Sequence, residues 1–514
     1  FLSFFLLGSI IFKDYGVSSD EYSSRIKGFV TLNYLGEKIS PDLNKKYKKD
    51  KNIPDIENYK QKIYGVVFEA PASFLEIIFD IQDKKNQFLL RHYLSFIIFF
   101  IGTIYFFKLL LIRFNSFKLS ILGTSFLILS PRIFANSFYN NKDLVFLSFF
   151  IIASFYAIKF IKEQNLKNSL KFSIFSALTI DIRILGILLP FVTLSISFIK
   201  NFFQKKLKEK LNLNISIIFF VVIFTIIFWP YLWEAPFKNF IFAFKGMANF
   251  NIDTYNLFFG DYINGKNVKW FYIPTWITIT TPIIYLLLFL IGLIISLKQI
   301  FNNKYNYKND NIFIDLFFIG CFFSPLIAVI IFNSTLYNGW RQLYFIYPSL
   351  IYFSIIASNY FFNLKNKKLF QTFFLIIFLN LISISFWMFK NHPHQYVFFN
   401  NFISTKNIHK KFDLDYWGLS YKQNFEIILK NEKKDKIKIY NLSHNNIWNH
   451  LFSLKQKSRD RFVLVNNIFD ADYLITNFFL DTEYSKIDFL GQYEVFNEIL
   501  VDNNSINTVY KKIN

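Results

Sequence analysis

Five short clusters in this chain hold side chains able to do acid–base, anion or metal chemistry, and each borders or interrupts an apolar run. The first is Ser18-Ser19-Asp20-Glu21-Tyr22, just beyond a run that ends at Phe12. Paired carboxylates at such a boundary can supply a general base, here Asp20, or hold a cation. The same residues also make a helix cap, because Ser and Asp side chains accept from the free N–H groups of a first turn. The second is Asn140-Asn141-Lys142-Asp143, where Asp143 opens the next run and is favoured there by the helix dipole. In the third, Asp181-Ile182-Arg183, ionisable residues break the middle of an apolar run. Their cost in hydrocarbon points to function by default, and a local Asp181–Arg183 pair closing a tight hairpin is the structural alternative. The fourth, Tyr337-Asn338-Gly339-Trp340-Arg341-Gln342, leads into another run, and its Arg341 could grip a phosphate with two parallel N–H donors or snorkel to headgroups. The fifth, His392-Pro393-His394-Gln395, has two His at i and i+2 with no HExxH or Cys partner, which favours a structural turn over a metal site. No metal ligand set is expected. No P-loop, GxGxxG or GxSxG is present to support nucleotide hydrolysis or serine-hydrolase chemistry.

The elements that must position these residues follow from composition. Of 514 residues 53% are hydrophobic, and Phe 72, Tyr 30 and Trp 8 make 21% of the chain aromatic. Apolar runs recur through the first three quarters, several reaching the ~20 residues that span a bilayer as helix. A disordered chain, a fibrous repeat and a single soluble globule are excluded, and a polytopic membrane protein remains. The net charge of +22 would suggest nucleic acid in a soluble protein. Here much of the Lys excess sits in short segments between runs, the pattern of positive-inside topology, so no nucleic-acid partner is expected. The one cysteine, Cys321, lies inside an apolar run and leaves no intrachain disulfide. The run at 1–12 has no basic flank and reads as the cut end of a first spanning helix rather than a signal peptide.

Further runs fall near 94–112, 119–139, 143–161, 172–199, 213–230, 274–297, 312–333, 343–361 and 368–389. The run 172–199 is Lys-rich on both flanks, so it reads as a hairpin of two short helices with its tip at 180–183. Eleven helices result, with 113–118, 159–171, 200–210, 298–310 and 364–368 inside. The loops 14–87, 132–142, 231–270, 334–342 and everything after 390 lie outside. Within 14–87 the stretch 64–81 could lie in the interface as an amphipathic helix. The tail 391–514 changes character: charge rises and apolar stretches shorten to strand length at 437–440, 461–465 and 473–476, with helical spacing at 421–430. The expected fold is therefore an α-helical polytopic membrane domain, 1–390, and a small extracytoplasmic α/β domain, 391–514. All the candidate charges fall on the outer side, where an acid suits a general base and cations suit a lipid-linked phosphate leaving group.

The first-loop Asp20-Glu21, with a second acid opening a later helix, resembles the GT-C glycosyltransferases. Within these the chain is similar to the bacterial family 39 group, which includes protein O-mannosyltransferases and the aminoarabinose transferase of lipid A. Also similar are Ser130-Pro131-Arg132, Phe138-Tyr139-Asn140-Asn141-Lys142-Asp143, Ala177 to Arg183 leading to Leu189-Pro190, and Trp229-Pro230-Tyr231-Leu232-Trp233-Glu234. Trp340-Arg341-Gln342-Leu343-Tyr344-Phe345-Ile346-Tyr347-Pro348, His392 to Val397 and Asp415-Tyr416-Trp417-Gly418 complete the likeness, which covers roughly 1–420. Members often carry Lys where this chain has Asp181-Ile182-Arg183, so Arg183 is matched by position and charge.

The resemblance implies transfer of a sugar from a polyprenyl phosphate to an acceptor hydroxyl or amine, with inversion and without a nucleotide or other cofactor. The active site would face the periplasm of a bacterial inner membrane. Asp20 would be the base and Asp143 a supporting acid. Glu21, Arg183 and Arg341 would contact substrate, with both arginines on the departing phosphate. The expected partners are the lipid-phosphate donor, an acceptor lipid, glycan or protein, and membrane lipids. The tail would take no part in catalysis and could recognise the acceptor. Two rivals stand beside this reading. One is a lipid or polysaccharide transporter without chemistry, which would show charges deep in several helices and internal pseudo-symmetry. The other is a ligase of whole lipid-linked glycans.

Overall fold

A computed structural model describes residues 1–42, 53–248, 254–302, 309–480 and 491–513. In hydrocarbon every backbone N–H and C=O must be paired within its own segment, so the apolar runs become helices. The first part contains α1 (Leu2–Ile11), α2 (Glu21–Ile39), α3 (Glu69–Ile78), α4 (Lys84–Phe114), α5 (Phe117–Ile128) and α6 (Pro131–Tyr139). Then follow α7 (Asp143–Lys162), α8 (Leu166–Ile182), α9 (Leu188–Phe203), α10 (Leu207–Phe228), α11 (Pro236–Ala248) and α12 (Tyr272–Thr280). The bundle closes with α13 (Ile283–Asn302), α14 (Asp310–Ile331), α15 (Tyr347–Phe362) and α16 (Lys367–Lys390).

Among the described residues eight helices are long and apolar enough to cross a bilayer, or nine if the bent pair α5–α6, angled by 67°, counts as one span. The expected count of eleven is not confirmed. All ten runs are helical, but α1 has only 10 residues, α8 only 17, and Pro131 starts a new helix after the break at Ser130. The chain is an integral membrane protein with a mostly helical body. The expected break inside 172–199 is present: α8 stops at Ile182, Arg183 is extended, and a short 3-10 turn, Ile184–Ile187, leads into α9.

Helix α3 is amphipathic with its polarity turned inside out. Glu69, Ser73 and Glu76 are buried, whereas Phe74 and Ile78 and the following Phe79 are exposed. The buried side is paired: Glu76 accepts from Arg25 of α2 and, at 2.7 Å, from Nη1 of Arg91 on α4, whose Nη2 donates to Ser73. Two elements of the segment 14–87, α2 and α3, are thereby tied to α4 of the bundle. An apolar outer face with carboxylates pointing inward is the arrangement that a hydrocarbon surrounding favours.

The tail forms a five-stranded mixed sheet of order β4-β3-β5-β7-β6; a separate outer-loop hairpin supplies β1 (Tyr255–Phe258) and β2 (Asp261–Asn264). In the sheet β3 (Ile437–Asn441) pairs in parallel with β4 (Phe462–Leu464) and β5 (Tyr473–Thr476), matching the three expected strands. An antiparallel hairpin, β6 (Tyr493–Val501) and β7 (Asn504–Lys512), joins through β5–β7 pairing. Helix α17 (Tyr421–Asn431) covers the sheet, and α18 (Ile447–Leu451) lies in a connection between strands. Tyr396, Phe399, Phe412, Tyr416, Trp417 and Leu419 pack in the same core as the helices, and the sheet's own core starts with Tyr421.

Candidate active site

Asp20 stands immediately before α2 and makes no side-chain bond to that helix, so the capping role open to it is not realised. The local work falls to its neighbour. Glu21 is buried and takes the Ser18 N–H at 2.6 Å and Nε2 of His92 on α4 at 2.9 Å. Adjacent residues at a helix start diverge: Glu21, expected to contact substrate, points into the packing, while Asp20 points out. The Asp20 side chain is 58% exposed, and its nearest charge is Nη2 of Arg341 at 3.7 Å.

Asp143 is the opposite case. Its side chain is 1% exposed and is shared by two arginines, an ion pair with Arg183 and a bond from Nη1 of Arg341 at 2.9 Å. Asn140 folds the turn around it, accepting the Asp143 N–H at 2.8 Å and donating back from Nδ2 at 3.1 Å. The guanidinium of Arg341 lies 4.7 Å from the Trp417 ring and 5.0 Å from the Tyr337 ring, which fixes its plane. Four of the five residues singled out from the sequence thus form one chain of charge, Asp20–Arg341–Asp143–Arg183.

The local Asp181–Arg183 pair does not form. Asp181 accepts the N–H groups of Val66 and Val67 at 2.7 and 2.8 Å, and Arg183 turns to Asp143. Gly65 is required there: a Cβ on it would come within 1.7 Å of the Asp181 carbonyl oxygen. The end of α8 therefore pins the start of the stretch containing α3.

Two cavities meet at this chain of charge. A polar one of about 590 Å³ is lined by Asp20, Lys27, Asn141, Lys142, Arg341 and Trp417 among others, with Asn445 and Phe479 reaching in from the tail. A more apolar one of about 450 Å³ runs along Ile184, Leu188, Phe191, Phe244, Ala328 and Phe332 past Arg183. Tyr64, Lys142 and Tyr337 line both. The Lys142 ammonium sits 3.8 Å from the Tyr64 ring centroid, and that of Lys27 sits 5.7 Å from it. Burial pushes the pKa of both lysines below the ordinary value, and the Arg183 charge pushes Lys142 down further. The junction is short of negative charge, so an anion there would favour both ammonium forms.

Lys27 and Tyr64 were not singled out from the sequence. Lys27 lies in a polar-looking helix and Tyr64 in a long loop, and neither pattern says that the residue is buried. Among the described residues no group of three or more His, Cys, Asp or Glu is placed to hold a metal ion. His392 instead meets Oδ2 of Asp14 at 3.0 Å, and His394 meets the Tyr396 hydroxyl and Gln423.

The site is thus an acid–cation chain at the seam of a polar and an apolar cavity in a helical membrane protein. No protein-family model matches the sequence, and no curated protein matches it. Among solved structures the chain is similar to the apo oligosaccharyltransferase of Archaeoglobus fulgidus, with a TM-score of 0.47 and 10% identity over 92% of this chain and 65% of that one. It is also similar to AglB of the same organism in complex with an inhibitory peptide and a dolichol-phosphate, at 0.42 and 10% over 93% and 69%. The chain spans just under two thirds of the first of these.

Proposed function

We propose that this protein is a GT-C-type glycosyltransferase that moves a sugar from a polyprenyl phosphate to an acceptor hydroxyl or amine on the extracytoplasmic side of the membrane. One observation carries the reading. An apolar cavity suited to a lipid chain and a polar cavity suited to a water-borne acceptor share a wall of Lys142, Tyr64 and Tyr337, with Asp20 on the polar side and Arg183 on the apolar side.

In this reading the prenyl chain lies along Leu188, Phe191 and Phe332, and its phosphate sits at the junction beside Lys142, Arg183 and Arg341. The acceptor enters the polar cavity and donates its proton to Asp20. The freed lone pair attacks the anomeric carbon as the bond from that carbon to the phosphate oxygen breaks, inverting the configuration. The electron pair leaves with the lipid phosphate, and the fixed cations meet the charge as it develops. Asp143 touches neither substrate. It holds both arginines in place, because an unpaired guanidinium inside the bundle would not keep one orientation.

The test is a reconstitution of the full chain in vesicles with synthetic polyprenyl-phosphate sugars, scored by release of lipid phosphate with an acceptor present. Release that depends on Asp20 supports the reading. Vesicles that move the lipid between leaflets without breaking its sugar–phosphate bond would show a transporter. Turnover only with a preassembled lipid-linked glycan would show a ligase.

A further inference from the structure

Among the described residues the Asp20 side chain has no hydrogen bond of its own to fix its aim. Its direction is set by the backbone of residues 13–20, which is not regular structure between α1 and α2. A buried backbone needs partners for its N–H and C=O groups, and here most come from residues at 417–450.

His450 of α18 is 1% exposed and lies within 2.8 Å of the Val17 carbonyl through Nδ1. A carbonyl only accepts, so Nδ1 carries the proton. Burial pushes the His450 pKa down to about 4, which keeps the ring neutral and in that role at ordinary pH. The ring is stacked on Tyr421, 4.7 Å between centroids and 4° from parallel. Two residues further on, the Ser19 N–H donates to the Trp417 carbonyl at 3.2 Å, and Nδ2 of Asn449 reaches the Ser19 carbonyl at 3.4 Å. Upstream, Nζ of Lys422 takes the carbonyls of Lys13 and Asp14 at 2.6 and 3.0 Å. On the far side of Asp20, Tyr22 and Phe88 both stack on Phe452. Gly418, at φ +70, lets the chain turn against this ring: a Cβ there would come within 2.4 Å of Nε2 of His450.

We propose that the α/β tail is a clamp for the catalytic base, and that His450 is the positioning residue that fixes the Val17–Asp20 turn through its Nδ1–H bond to Val17. This goes beyond the expectation that the tail takes no part in catalysis and could recognise the acceptor. It rests on Asp20 being the base, and the role of His450 runs wholly through Asp20. His450 touches no substrate, so its loss should lower the rate of the chemical step and leave donor affinity alone.

The experiment is a double-mutant cycle on the full-length protein in vesicles, with turnover normalised to folded protein. His450→Ala removes the donor. His450→Asn keeps an N–H close to the position of Nδ1. With Asp20 present, His450→Ala should lower kcat by about 10- to 100-fold, the scale of a misplacement near 1 Å. Donor KM should stay within about twofold, and His450→Asn should recover most of the rate. With Asp20→Asn, the same His450→Ala should cost less than about twofold, since there is no base left to aim. A merely structural role would lower both backgrounds by the same factor, and that result overturns the proposal, as does an unchanged kcat in folded His450→Ala. If Asp20→Asn alone keeps full turnover, the assignment of the base fails and takes this inference with it. Should His450→Ala not fold, Asn449→Ala replaces it, with the same background dependence expected on a smaller scale and the same overturning result.

Discussion

The helical body contains two Arg–Asp clusters in otherwise apolar surroundings, and they differ in what is left over. At one end of the bundle Arg113 of α4 holds Asp315 of α14 with two parallel bonds, Nε to Oδ1 at 3.0 Å and Nη2 to Oδ2 at 3.1 Å. Tyr352 adds a hydroxyl bond and Ser296 a second at 3.1 Å, so both carboxylate oxygens are used. In the other cluster one buried carboxylate, Asp143, serves two arginines, the exposed Asp20 lies 3.7 Å from Arg341, and Nε of both Arg183 and Arg341 has no hydrogen-bond partner among the described residues. That cluster also borders both large cavities. A buried ion pair is weak evidence for function or stability by itself. The ratio of cations to acids and the presence of a space beside them separate a closed clamp from a place that awaits an anion.

Substitutions tell the two clusters apart. The largest effect is expected from Asp20→Asn, which keeps the shape of the side chain and removes the basic oxygen. Turnover should fall by about 10²–10⁴-fold, the range of a general base, with protein level and donor binding little changed. If Asp143→Asn abolishes activity while Asp20→Asn does not, the base is Asp143 and the outer cluster must be reinterpreted. Asp315→Ala should cost about 3–5 kcal/mol of stability by stranding Arg113, read as a thermal shift in detergent, with turnover per folded molecule unchanged. A parallel loss of kcat would erase the contrast between the clusters.

Smaller effects test the cation excess. Arg341→Ala should lower donor use by about 10- to 100-fold, the scale of one or two charge-assisted bonds, and Arg341→Lys should lower it less. Equal and near-normal rates in both would make Arg341 an interfacial anchor. Glu21→Gln weakens only the His92 contact, so it should shift thermal stability more than turnover.

The smallest effect lies outside the bundle at Asp413, whose Oδ2 takes the Leu257 N–H at 2.9 Å and whose Oδ1 has no hydrogen-bond partner among the described residues. Burial raises its pKa to about 7. A carboxyl raised by folding contributes stability that is present below its unfolded pKa, about 3.9, and lost as pH rises through about 7. Asp413→Asn should therefore match the wild type near pH 4 and exceed it at pH 8, by about 2–4 °C in Tm for each kcal/mol regained. A gain that does not grow with pH would show that Asp413 is not protonated in the folded protein.

Much of this was legible in the sequence because hydrophobicity and charge are local signals. The apolar runs are helical, some of them broken in two, and the strands at 437, 462 and 473 follow from short β-branched and aromatic stretches. Asp20, Asp143, Arg183 and Arg341 converge, as a shared outer side implied. What was not legible depends on partners far away in the chain. Val17 and His450 lie 433 positions apart and Asp14 and His392 lie 378 apart, and neither pair leaves a spacing pattern. The hairpin β6–β7 was missed because Asn, Glu and Lys interrupt its apolar alternation, and its strands are recognised by pairing with β5. Lys27 and Glu21 illustrate a third limit: in a short helix flanking a cavity, one turn decides between substrate, packing and solvent.

The clamp on residues 13–20 also bears on how the protein is made. Among the described residues the carbonyls of Lys13, Asp14 and Val17 receive their donors from Lys422 and His450, which leave the ribosome more than four hundred residues later. While the helices insert one by one, the segment preceding Asp20 would have its polar backbone unmet and its carboxylate unaimed. A nascent or truncated chain would thus sit in the membrane with its apolar cavity formed and Asp20 unaimed, and the setting of Asp20 would be completed late, when the last quarter folds back onto the beginning.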